Sequence, residues 1–282
     1  MNIRTDLAIE LEERNPQKTS SIEKKETKKG NIKITEINIK NKAAEEEIGR
    51  KKGKYITVEF PDILKISDYS ELEETIRANL VALLPEKREK ILVVGLGNRN
   101  ITCDNIGPNT ASKILATRHI AGSFAESIGL KNLKSVAVIT PDVLGKTGIE
   151  ATEICEGVVK KIEPDAIIAI DALAAGSVSR LFKTVQITNT GIEPGSGVKN
   201  SRKELSFESL SVPVIALGVP TAVDALVLAQ ELTEAVPKTD CDLIVTPKDC
   251  DLLSHRISEI LSRSLNSLLQ PEIEPEILFD LV

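Results

Sequence analysis

Apolar residues recur along this chain with two different periods, and the change of period divides it. In residues 32–39 and 55–60 apolar and polar positions alternate, as Ile-Lys-Ile-Thr-Glu-Ile-Asn-Ile and Tyr-Ile-Thr-Val-Glu-Phe. Period two places one set of side chains on one face, so both runs predict half-buried strands. They form a small N-terminal β element, about residues 31–62, with a charged stretch ending in Gly53 between them. Residues 67–84 predict a helix. From residue 91 short runs apolar at every position take over, at 91–94, 136–139, 166–170, 214–217 and 243–245. Runs rich in β-branched residues and apolar on both faces suit strands covered on both sides of a parallel sheet. Segments with apolar residues at helical spacing, 107–117, 150–162, 222–235 and 252–269, separate several of them. Strand alternating with helix predicts an α/β fold, a mostly parallel doubly wound sheet flanked by helices. Residues 1–30 are polar and rich in Lys and Glu, and predict a mobile arm. Residues 31–270 then form a single α/β domain, and 271–282 a tail.

Composition narrows the function classes. Only 2% of the 282 residues are aromatic and none is Trp, against 41% hydrophobic residues in all. The core must therefore be built from Ile, Val, Leu and Ala. Few flat side chains and a formal charge of -6 argue against direct nucleic-acid binding. The four cysteines, Cys103, Cys155, Cys241 and Cys250, have no C-x-x-C spacing, and with only two histidines they predict no zinc cluster. Sparse cysteine fits a reducing cytoplasm. No run has the length of a signal peptide or a membrane span.

Ligands of doubly wound sheets bind beyond the carboxyl ends of the strands. Two polar stretches follow apolar runs there. The first, residues 95–108, reads GLGNRNITCDNIGP; the second, residues 171–177, reads DALAAGS. The first lacks the third Gly of a dinucleotide loop and the Lys of a P-loop, so nucleotide binding is not predicted. Asp104 caps the helix that follows or serves chemistry. Asp171 ends an almost wholly apolar strand, where a carboxylate is costly unless bonded, paired or needed. Two carboxylates at one sheet edge can share a proton, activate water and protonate a leaving amine. The same pair would suit a divalent cation. Cys103 has no histidine close in sequence; His119 and His255 fall on helices, and Ser177 and Ser196 lack a nucleophile elbow. The Gly-rich loop at 188–200 is a further functional candidate.

Taken together, VVGLGNRNITCDNIGP, ITPDVLGKTGIEATEI, IIAIDALAAGS, GIEPGSGVKNSRKELS, PVIALGVPTAVDA and VTPKDCDLL resemble the germination protease family, as do RTDLAIE and GRKKGKYITVE nearer the N-terminus. The resemblance implies an endopeptidase of the spore cytoplasm that cleaves small acid-soluble spore proteins, an atypical aspartic protease with a fold similar to hydrogenase maturation proteases. It implies Asp104 and Asp171 as the catalytic pair, no cofactor and a homotetramer. It also implies a self-processing zymogen, since Thr5-Asp6-Leu7-Ala8-Ile9-Glu10 resembles the T-E-[FI]-A-[SG]-E site of the substrates and predicts a cut between Asp6 and Leu7. Three departures stand out: Cys103 and Asn105 flank Asp104 where relatives read T-P-D-A, Gly176 stands where Arg is common, and 236–241 is short. The alternatives are a metal-dependent peptidase of the hydrogenase-maturation type, with Asp104 and Asp171 as ligands, and a non-catalytic spore-protein binding protein.

Overall fold

The computed structural model describes residues 5–14, 21–120, 132–194, 203–233, 241–274 and 277–278. Its nine strands are β1 (Ile22–Lys29), β2 (Ile32–Ile39), β3 (Gly53–Glu59), β4 (Lys90–Gly95), β5 (Ser135–Ile139), β6 (Ala166–Ala175), β7 (Thr184–Thr188), β8 (Val214–Asp224) and β9 (Ile244–Val245). They form one mixed sheet in the order β1-β2-β3-β7-β8-β6-β4-β5, with β9 paired to β8. The apolar runs β5, β4, β6 and β8 are parallel neighbours. The alternating strands β1, β2 and β3 pair antiparallel, and β7 joins β3 to β8 antiparallel. The fold is thus α/β as the periodicity predicts, and the small β element is continuous with the main sheet.

Alternate residues of the buried strands feed two cores. Ile91, Val93, Ile168, Ile170, Ile215 and Leu217 pack on one side. There they meet α3 (Ser70–Leu83), the short α4 (Ile106–Ala111) and the long α9 (Cys250–Leu269). Leu92, Val94, Ile167, Ala169 and Val214 pack on the other, against α6 (Ala151–Ile162) and α7 (Phe207–Leu210). Four further α-helices are described: α1 (Ala8–Arg14) and α2 (Lys42–Ile48) near the N-terminus, α5 (Leu144–Thr147) before α6, and α8 (Ala225–Thr233) after β8.

Several expectations need correction. Residues 1–30 do not form a mobile arm throughout. Leu7, Ala8 and Ile9 are fully buried, and residues 22–29 form β1 because their backbone pairs along the whole length of β2. The helix expected at 107–117 stops at Ala111, and His119 lies in a turn rather than on it. The tail expected at 271–282 contains Leu278, which is fully buried. Asp171 does not end its strand: β6 continues to Ala175 because β8 continues beside it, with a register shift between Leu173 and Ala174.

Gly107 sets the distance between α4 and the sheet. A Cβ there would lie 2.2 Å from the Leu96 carbonyl oxygen and 2.4 Å from that of Ile170. Both obstacles are backbone, so the helix must move. Gly107→Ala should cost about 1–3 kcal/mol of stability. Chemical denaturation of the purified variant checks this, and an unchanged midpoint and slope would show that α4 is free to shift.

Candidate active site

Strand β4 ends at Gly95, paired with Ile170 of β6. Beyond that row the chain leaves β4 as a loop while β6 runs on, and Asp171 is the first residue past the junction. Two contacts tie the loop to it. Leu96 N–H donates to the Ile170 carbonyl at 2.8 Å, and Gly107 packs on the same carbonyl. The loop returns through a turn in which Asp104 Oδ2 accepts from Asn98 N–H at 2.9 Å. Gly97 closes this turn with φ +107, and a Cβ there would lie 2.1 Å from the Asp104 carbonyl oxygen. Asp104 is therefore a loop-closing carboxylate and not a helix cap; Asn105 takes the cap position of α4 without a capping side-chain bond. Asn105 Oδ1 instead accepts from Ser254 Oγ of α9, and the Cys103 carbonyl accepts from Thr221 Oγ1 of β8. The two residues that depart from the family pattern thus anchor the loop on both sides of Asp104.

Asp104 and Asp171 line one cavity of about 470 Å³. Asp171 is 4% exposed and its Oδ1 accepts from Ala172 N–H at 2.9 Å. Asp6, Glu193, Asp224 and Asp242 also line this cavity. Pro194 belongs to the wall as well, so the first part of the Gly-rich loop reaches the site; residues 195–202 lie outside the described residues. Among the described residues no group of three or more His, Cys, Asp and Glu is arranged to hold a metal ion.

The N-terminal segment runs into this site. Asp6 N–H donates to the Ala174 carbonyl at 2.9 Å, and Ala174 N–H donates to Asp6 Oδ2 at 2.8 Å. Gln186 of β7 clamps the backbone on both sides of Leu7: its Nε2 donates to the Asp6 carbonyl at 3.0 Å, and its Oε1 accepts from Ala8 N–H at 2.7 Å. Gln186 and Asp171 both pair with Gly218, so they share one row and one face of the sheet. Two strand spacings separate them, roughly 10 Å. Burying Leu7 and Ile9 stabilises the docked segment by about 1.5–3 kcal/mol each, before the cost of ordering the chain. The substrate-like sequence predicts that this segment reaches the cleft, but neither Gln186 nor the burial of residues 7–9 was read from it. A buried Gln in the middle of the run Thr-Val-Gln-Ile-Thr was the available signal.

Farther along, Glu10 is 4% exposed. It accepts from Gly176 N–H at 2.6 Å and from Thr5 Oγ1, and pairs with Arg180 Nε at 3.3 Å. Arg180 also binds Glu13 and Glu59, each at 2.8 Å. Gly176 leaves room for these side chains: a Cβ there would lie 2.2 Å from Arg14 Nη2 and 2.8 Å from Glu10 Oε2, the ends of two flexible side chains that would have to shift. Thiol chemistry is disfavoured. Burial, then Cys250 and Asp104, push the Cys103 thiol up, and burial pushes Cys155 up to about 12. His255 is exposed on α9 beside Glu259.

The family model described as germination protease matches residues 2–239. The chain belongs to the germination protease family. It is 40% identical over 317 aligned residues to the germination protease of Clostridium tetani, covering 98% of each chain. It is 39% identical to that of Caldanaerobacter subterraneus subsp. tengcongensis, over 96% of this chain and 95% of the relative. The Bacillus velezensis germination protease is 41% identical over 84% of this chain and 67% of its own. A [NiFe] hydrogenase maturation protease from Thermococcus kodakarensis, HycI, superposes with a TM-score of 0.37 at 14% identity, over 70% of this chain and 99% of its own. Membership makes the chain a peptidase. No helix among the described residues is long and apolar enough to cross a membrane.

Two expected outcomes follow from the charges at this site. Cys103→Ser should keep peptidase activity within a few-fold, because a thiol held protonated is no nucleophile; a complete loss in a folded variant would assign the thiol a role. Burial is the largest influence on Glu10 and raises its pKa above 4.5, against the opposing pull of Thr5, Gly176, Arg180 and Arg14. The docked state therefore binds this proton more tightly than the undocked state. Docking should strengthen as pH falls through the raised value, with the full gain present below about 4.5. Protection factors of the α1 amides, measured between pH 7 and 5, should rise, and Glu10→Gln should flatten the rise. Protection independent of pH in the unaltered chain would contradict this assignment.

Proposed function

We propose that this chain is a self-processing endopeptidase of the atypical aspartic type, with Asp104 and Asp171 as its acid–base pair. Its substrates are the small acid-soluble proteins of spores, and it acts as a homotetramer in the spore cytoplasm. The observation that carries the reading is the docked segment. Asp6, beside the predicted cut, lines the same cavity as Asp104 and Asp171. A substrate-like sequence of the chain's own that reaches this cavity supports a zymogen, in which external peptides and the segment compete for one place.

The chemistry needs no nucleophile from the chain. One carboxylate takes a proton from water as the water adds to the Asp6 carbonyl carbon. The other, as the neutral carboxylic acid, gives its proton to the Leu7 nitrogen as the Asp6–Leu7 bond breaks. Gln186 Nε2 already donates to the Asp6 carbonyl oxygen, where negative charge gathers during the addition. Releasing residues 1–6 removes the Asp6 bonds to Ala174 and Gln186, which loosens the remainder of the segment and opens the cleft.

Asp104→Asn and Asp171→Asn should each lower peptidase activity by ~10²–10⁴-fold while leaving the fold intact. Amino-terminal sequencing should find a new terminus at Leu7 in the unaltered chain and not in either variant. Wild-type rates in a folded variant would remove that aspartate from the mechanism. Loss of activity on chelation, restored by one divalent ion, would make the pair metal ligands instead.

A further inference from the structure

One row of paired residues crosses the sheet from Asp171 toward β1. Gly218 of β8, Gln186 of β7, Thr57 of β3 and Thr35 of β2 stand opposite one another in turn. Directly opposed residues share a face, so Gln186, Thr57 and Thr35 lie on the face that carries Asp171. Thr57 and Thr35 are fully buried, and neither hydroxyl has a hydrogen-bond partner among the described residues. The ties of α1 bracket them. Ala8 N–H is held by Gln186, and Glu12 pairs with Lys24 of β1 at 2.7 Å. Glu13 meets Arg180, which binds Glu59, two residues along β3 from Thr57. Between these ties α1 packs on β2. A helix spends its carbonyls on its own amides, so it offers no acceptors to hydroxyls beneath it.

We infer that Thr57 and Thr35 carry on the main-chain clamp begun by Gln186: with α1 gone, their hydroxyls bind backbone groups of an extended substrate on the carboxyl-terminal side of the cut bond. The inference rests on the peptidase reading and adds residues that position the substrate without reading its side chains. The path is the one taken by the chain's own segment, from Asp6 beside β6, over Gln186, toward β1. An extended chain keeps its N–H and carbonyl groups free to bond sideways, which α1 does not. Thr57 and Thr35 lie one and two strand spacings beyond Gln186, about 5 and 10 Å. Three extended residues past the one held by Gln186 span about that distance. A bonded hydroxyl then replaces an unpartnered one, so this floor of hydroxyls favours an extended substrate over the helix that covers it in the intact chain. The substrate class is a polypeptide that lies unfolded for about five residues after the cut bond, whatever their side chains.

The test uses Thr57→Val and Thr35→Val, singly and together, in the full chain; Val removes the hydroxyl and keeps its shape. Two fluorescent peptides are the probes, residues 4–13 of this chain, which continue well past the cut bond, and residues 4–8, which stop at the residue held by Gln186. Hydrogen exchange of the α1 amides should slow about tenfold in the double variant, because the helix then covers no unpartnered hydroxyl, while the β4 and β6 amides stay as they were. Affinity for the longer peptide, read by anisotropy, should fall about fivefold per hydroxyl relative to that for the shorter one. In the self-cut chain KM for the longer peptide should rise in the same ratio with kcat unchanged. An equal loss for both peptides means only that α1 docks more tightly, and overturns the floor. Faster α1 exchange in the variants also overturns it, since the hydroxyls would then serve the helix. Cutting of both peptides with no length-dependent loss removes the floor and keeps the peptidase reading. A length-dependent loss of affinity, in a chain that cuts neither peptide, keeps the floor and removes the peptidase reading.

Discussion

The extension of β6 and β8 beyond the end of β4 is the constraint on which the rest depends. In the parallel core β4, β6 and β8 are each flanked on both sides, and their backbone groups are consumed by their neighbours. Past Gly95, β4 turns away and β6 loses one neighbour. The Ala174 N–H and carbonyl of β6, and the Gly176 N–H just past its end, then need other partners. The N-terminal segment supplies them, through the Asp6 backbone and the side chains of Asp6 and Glu10. An unpaired strand edge is a template for another chain. The same gap in the sheet that exposes Asp171 to a cavity therefore creates the place where a peptide can lie next to it.

The electrostatics follow from that geometry. Six carboxylates line the cavity that Asp6 shares with Asp104 and Asp171. The cations at the docked segment sit apart from that cavity's wall: Arg50 comes from the chain just after α2, and Arg180 from the turn before β7. The acids of the docked segment are thus held at the flanks, beside Arg50 and Arg180. At Gly176 the ends of the Arg14 and Glu10 side chains pack directly over the backbone, so a larger residue there would make both side chains shift.

The parallel core was legible because burial on both faces writes itself as uninterrupted apolar runs. The same holds for the 70–83 and 250–269 helices, whose stripes are long enough to declare their period. Strand β1 was not legible: its residues are Ile-Glu-Lys-Lys-Glu-Thr-Lys-Lys, nearly all exposed, and only pairing with β2 makes them a strand. The docked segment hid for a related reason. Leu7, Ala8 and Ile9 are three apolar residues in a charged stretch, too few to show a period, and their burial is decided by a groove built from residues 174, 176 and 186. Asp104 and Asp171 could be chosen because the carboxyl ends of strands are where such sheets place their sites. Gln186, Arg50 and Arg180 could not, since a polar residue in an alternating strand or a cation in a charged stretch reads as surface until the chain that covers it is seen.

The central claim is that the intact chain blocks itself with residues 5–10. It is tested most directly by following two quantities in one sample: the fraction of chains cut after Asp6, by intact mass, and the rate at which an added acid-containing peptide is cleaved. The account predicts no external cleavage while all chains are intact, and then a rate that rises in proportion to the cut fraction. External cleavage at the full rate from the first time point, with every chain still intact, would contradict it.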